Sequence, residues 1–94
     1  MIRNVVMVKM REGYDKAWLA DLLRRFQQLN CPGTAAYTIG TDLGLRDGGW
    51  TFAIVADFVD EDAYRGYDAD QRHNELRAAL VPHAEQIARV QFQP

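Results

Sequence analysis

Residues Trp50 to Val59 read Trp-Thr-Phe-Ala-Ile-Val-Ala-Asp-Phe-Val. The run is rich in β-branched and aromatic residues, which marks it as a strand. Successive strand side chains point to opposite faces. One parity carries Trp50, Phe52, Ile54, Ala56 and Phe58; the other carries Thr51, Ala53, Val55, Asp57 and Val59. The first set is large and suits packing against helices. The second is smaller but still mostly apolar. A sheet with helices on one side only should be polar on its other side. The opening strand, Ile2 to Lys9, breaks that rule in the same way, with Ile2, Asn4, Val6 and Val8 on one face and Arg3, Val5, Met7 and Lys9 on the other. Whatever the fold, both faces of this sheet need cover.

The remaining segments define what provides the inner cover. After Gly13 and Asp15, the residues Trp18, Leu19, Leu22, Leu23, Phe26 and Leu29 recur at helical spacing. Asn30-Cys31-Pro32-Gly33 ends that helix. Ala35 to Leu43 reads as a second strand, and Arg46-Asp47-Gly48-Gly49 as the turn leading into the Trp50 strand. Acidic residues from Asp60 to Asp62 open a short helix over Glu61 to Tyr67. Asp68, with Gln71 three positions on, reads as the N-cap of a further helix running to about Val81, where Pro82 stops it. Ala88 to Phe92 reads as a last strand. The order strand, helix, strand, strand, helix, strand is that of the ferredoxin-like α+β fold, a four-stranded antiparallel sheet with its helices on one face.

A chain of 94 residues is one domain, and at this size only about 60–65% of the unfolded surface is buried on folding. A second copy, sheet against sheet, is the economical cover for Val5, Met7, Ala53 and Val55. We therefore expect a homodimer with a shared, barrel-like interior. Net charge is -2, which argues against a nucleic-acid partner. The apolar N-terminus is interrupted by Arg3, Asn4 and Lys9 and has no cleavage pattern, so neither a leader nor a membrane segment is expected and the cytoplasm is the default location.

Few residues suit chemistry. The chain has no serine, one cysteine and two histidines ten positions apart, so neither a serine nucleophile nor a metal site is expected. Cys31, after a helix C-terminus, suits packing better than nucleophilic attack. His73 is the strongest candidate. It shares a helical side with Leu76 and Leu80, which must face the core, and a buried neutral imidazole is a competent proton acceptor near neutral pH. The same periodicity allows a histidine bonded to a backbone carbonyl. Tyr67 can point a phenol into the same space. Asn4, Tyr37 and Trp50 are candidate pocket walls.

The opening Met1-Ile2-Arg3-Asn4-Val5-Val6, the Gly48-Gly49-Trp50 lead into a strand ending Ala56-Asp57-Phe58, the pair Tyr67 and His73, and the closing Val90-Gln91-Phe92 together resemble the stress-responsive α/β barrel (Dabb) family across essentially the whole chain. The resemblance implies a dimeric α+β barrel. A plant member is a polyketide cyclase that closes a ring by aldol condensation without a cofactor, and the residues matching its base and partner are His73 and Tyr67. The chain departs from the pattern at Asn4 and Phe52, where histidines are usual in the family or its cyclase, and at Asp70-Gln71, which replaces a His-Pro step. The implied pocket is more apolar.

Three functions are compatible with this reading. The first is a dimer that binds a small, partly apolar molecule and needs no cofactor, with His73 as base and Tyr67 steadying an oxyanion. The second is a non-enzymatic stress-response or interaction dimer. The third is a cofactor-free monooxygenase of the same superfamily. A cavity of about 300 Å³ or more, lined by Asn4, Tyr37, Phe52, Tyr67 and His73, would mark ligand binding. A filled interior with His73 bonded to the backbone would mark the interaction protein.

Overall fold

The computed structural model describes residues 1–94. Strand β1 spans Ile2–Met10, helix α1 Lys16–Gln27, β2 Thr34–Thr41 and β3 Phe52–Phe58. Helices α2 (Glu61–Ala69) and α3 (Gln71–Leu80) follow, then a single 3-10 turn over Val81–His83 and strand β4 (Ala84–Phe92). The sheet order is β2-β3-β1-β4 with every neighbouring pair antiparallel, so the fold is the ferredoxin-like one that the element order predicts.

Each helix begins on an aspartate. The Asp15 carboxylate accepts from the amides of Ala17 and Trp18, and the Asp60 carboxylate from that of Ala63. Asp60 thus belongs to a helix start, as its acidic neighbourhood suggests. The third cap differs from the expected one. Asp68 is still inside α2, with helical backbone, and cannot cap; Asp70 has the extended backbone that a cap requires and accepts from the His73 amide at 2.9 Å. The chain therefore breaks at one residue between α2 and α3. The last strand also starts four residues earlier than predicted. The 3-10 turn redirects the chain at Pro82, and Ala84 already pairs with Met10 across an irregularity in the ladder. Glu85 and Gln86 disguise that start because β4 is an edge strand with wet positions.

Parity along β3 is as expected: Phe52, Ile54, Ala56 and Phe58 are buried, and the alternate residues are half-buried. The inner face meets α1 and α3 in a cluster that includes Val8, Leu19, Leu22, Phe26, Phe52 and Leu80. A smaller cluster joins Cys31, Ala56, Phe58 and Tyr67 under α2. Gly33 connects this region. Its φ of 83° favours glycine, and a Cβ there would lie 2.5 Å from the Cβ of Ala63 in α2.

The outer face has no helix. Register sets Thr38, Val55, Val5 and Val90 in one row across all the strands, and Gly40, Ala53, Met7 and Ala88 in the next. Met7 and Val90 are exposed in the single chain. On the other side of the Val5–Val55 row lies a cross-strand ion pair, in which the Arg3 guanidinium donates to both oxygens of Asp57 at 2.8 and 3.0 Å. This pairing holds the Asp57 carboxyl below its ordinary pKa.

Candidate functional site

A small cavity lies above β1 and β4, roofed by α2 and α3. Asn4, Val6 and Val8 form its floor, together with Ile87 of β4. Phe26 and Leu80 close one side, and Tyr64, Tyr67, Asp68, His73 and Arg77 descend from the roof. Its volume is about 50 Å³. That is well below the expected size, although room for a buried water needs only about 10–15 Å³ on the same measure. The space admits a small head group and no more.

His73 occupies the first turn of α3, where the Asp70 cap fixes its backbone. Its side chain is turned inward and the residue is only 7% exposed. The ring lies against Tyr67, with centroids 4.0 Å apart, and meets the edge of Phe26 at 6.3 Å. Nδ1 is buried and has no hydrogen-bond partner within the protein. The backbone-bonded arrangement allowed by periodicity is therefore not formed at this atom. Burial lowers the His73 pKa, and the nearby positive charge of Arg77 lowers it further. The imidazole is thus neutral near pH 7 and retains one basic nitrogen.

Tyr67 is buried beside it, and its hydroxyl lies 2.7 Å from that of Tyr37. Burial raises both phenols, Tyr37 to about 12 and Tyr67 beyond it, so neither ionises near neutrality. Two phenols share one hydrogen bond, which leaves one phenolic proton for another acceptor. If Tyr37 donates to Tyr67, that proton belongs to Tyr67. Tyr37 can therefore orient Tyr67 without lining the cavity itself.

Asn4 is also buried. Its Oδ1 accepts from Nε2 of Gln91 at 2.8 Å across the β1–β4 ladder. The amide N–H groups of Asn4 remain as donors at the cavity floor.

Trp50 and Phe52 lie elsewhere. Phe52 is packed into the main core, and half-buried Trp50 lines a groove with Leu43, Leu45 and Met7 near the β2–β3 connection. Parity assigned Phe52 to the correct face, but only register gives its height along the sheet. Phe52 stands opposite Val8, whereas Ala56 stands opposite Asn4. Sequence reasoning missed Tyr64, Asp68, Arg77, Arg89 and Gln91. Arg77 had a legible signal, since it lies one turn after His73 on the same helix. Arg89 and Gln91 had a weaker one, as they alternate with Ile87 on an edge strand. Cys31 is buried in the small cluster, and burial raises its thiol pKa. That environment fits the packing role expected of it.

Solved structures of similar proteins share this architecture. A dimeric ferredoxin-like protein of unknown function from Thermobifida fusca is 27% identical, with a TM-score of 0.92 over 99% of this chain and 90% of its own. A hydroxynitrile lyase from Passiflora edulis is 18% identical, with a TM-score of 0.84 over 97% of this chain and 90% of its own. An Arabidopsis thaliana protein is 16% identical, with a TM-score of 0.86 over all of this chain and 95% of its own. At the last two identities the likeness is one of fold. Among curated proteins none matches the sequence. The family model of the Stress Responsive A/B Barrel Domain matches residues 2–94. The two-faced sheet, the split helical roof and this match over almost the whole chain agree: the protein belongs to the stress-responsive A/B barrel (Dabb) family.

Proposed function

We propose that the protein is a homodimer, closed through the outer faces of its sheets, in which each subunit binds a small, partly apolar molecule against His73. The observation that carries this reading is the buried Nδ1 of His73, which has no partner in the protein although the residue lines a cavity. Buried polar atoms in native structures are almost always bonded to protein, water or a ligand, so this atom calls for a partner within the cavity. The neutral ring is the base, able to take a proton from carbon beside a carbonyl. Tyr67, held by Tyr37, and the Asn4 amide are the donors for the oxygen that gains charge. The apolar rows on the outer face, and the dimeric state of the Thermobifida fusca relative, support the dimer.

A second reading has one observation in its favour. The cavity is small enough that a purely interacting dimer could leave it without a ligand. Titration of His73 by nitrogen-15 NMR tests whether the ring can serve as the base. The site reading expects a folded-state pKa below the ordinary value of about 6.5 and a neutral ring at pH 7. Because the unfolded chain then takes up the proton first, stability should be intact above pH 6.5 and should fall as pH drops from there through the folded pKa. A His73→Phe variant should not show that loss in thermal melts. A ring that titrates at 6.5 or higher, with melts that match the variant, would remove His73 as base.

A further inference from the structure

The same cavity carries a charge pattern that the neutral interior does not explain. Its lining includes two guanidinium groups, Arg77 and Arg89, and one carboxylate, Asp68, a local excess of positive charge on a chain of net charge -2. Arg77 is tied down: Nη1 donates to Asp68 at 3.3 Å and Nη2 to the Asn74 side-chain oxygen at 2.7 Å. Arg89 stands opposite Val6 in the β1–β4 ladder, on the helix-facing parity of an edge strand. It makes no ion pair or side-chain hydrogen bond. The inner end, by contrast, is lined by Val6, Val8 and Leu80 around the neutral His73.

We infer that the ligand is an organic carboxylate whose uncharged carbonyl end enters the cavity beside His73 while its carboxylate is held at the mouth by Arg89, with Arg77 adding to the field. The inference rests on the ligand-binding reading above. A planar guanidinium matches a carboxylate in two parallel hydrogen bonds. The small interior takes a carbonyl and one or two carbons, so the remainder of the molecule, including its charge, stays where the arginines are.

The test uses the full-length protein, nitrogen-15 NMR, and three probes: 4-oxopentanoate, its neutral methyl ester, and inorganic phosphate. 4-Oxopentanoate should shift the His73 and Tyr67 amide signals and bind at least about fivefold more tightly than the ester. Arg89→Gln should abolish that preference without changing ester binding, and added salt should weaken the acid alone. Arg89→Lys keeps the charge but loses the fork, and should retain only part of the preference. Equal binding of acid and ester would overturn the carboxylate assignment while leaving the ligand site standing. Displacement of the acid by an equal concentration of phosphate would also overturn it, in favour of an unselective anion site. If neither acid nor ester moves the His73 signals, the ligand-binding reading itself fails.

Discussion

The two faces of the sheet solve opposite problems with nearly the same residue types. The inner face is covered by its own helices, and its buried polar groups, Asn4 and His73, gather at one end beside a cavity. The outer face has rows of Val, Ala and Met with no cover from its own chain, and its charges are already paired, Arg3 with Asp57 and Lys9 with Glu85. An apolar row with satisfied charges suits contact with another surface. A buried polar atom without a protein partner, such as Nδ1 of His73, suits chemistry. The comparison teaches that hydrophobicity alone does not separate a core from an interface; the satisfaction of the polar atoms among it does.

Four substitutions test that division. The largest effect is expected from Phe58→Ala, because Phe58 is fully buried under α2 and its deletion should cost about 3–5 kcal/mol. Chemical denaturation measures that loss, and a cost below about 1 kcal/mol would mean that α2 is not held as described. Val55→Lys should act on the other face. Val55 is central in the outer row, and a lysine there would bring an unpaired charge into the proposed dimer contact. Sedimentation should report monomer or aggregate in place of a dimer; an unchanged dimer mass would contradict the sheet-to-sheet arrangement. The smallest effect is at the helix break. Asp70→Ala should cost about 1 kcal/mol, the usual value of a lost N-cap, whereas Asp68→Ala should cost less because its bond to Arg77 is exposed. The reverse order in thermal melts would restore Asp68 as the cap.

Features governed by a short period were legible in the sequence. Alternation in β1 and β3 and helical spacing in α1 gave the element order, the face of each strand and hence the fold. His73 was legible because the side of a helix follows from its own neighbours, and Tyr67 because it precedes the break before that helix. Features that need a register were not. Trp50 was assigned to the cavity for its polar handle and Phe52 through the family resemblance, yet the height of Phe52 on the sheet depends on pairing with β1, and Trp50 lies before the paired part of β3. Arg89 reaches the site only through the β1–β4 ladder, and its edge position makes it look like an ordinary wet residue. The volume of the cavity depends on how closely α2 and α3 approach the sheet, which no local pattern encodes.

That approach is set in part by Gly33. Contact of its bare backbone with Ala63, together with the Val59 amide bond to the Gly33 carbonyl, clamps the first turn of α2 to the corner before β2. The roof is thus fixed through the backbone at that end, whereas beyond the break at Asp70 it rests on side-chain packing, with Leu80 set into the main core and His73 against Phe26. A side chain at position 33 would therefore push α2 off the sheet and reshape the cavity from the end opposite His73's helix.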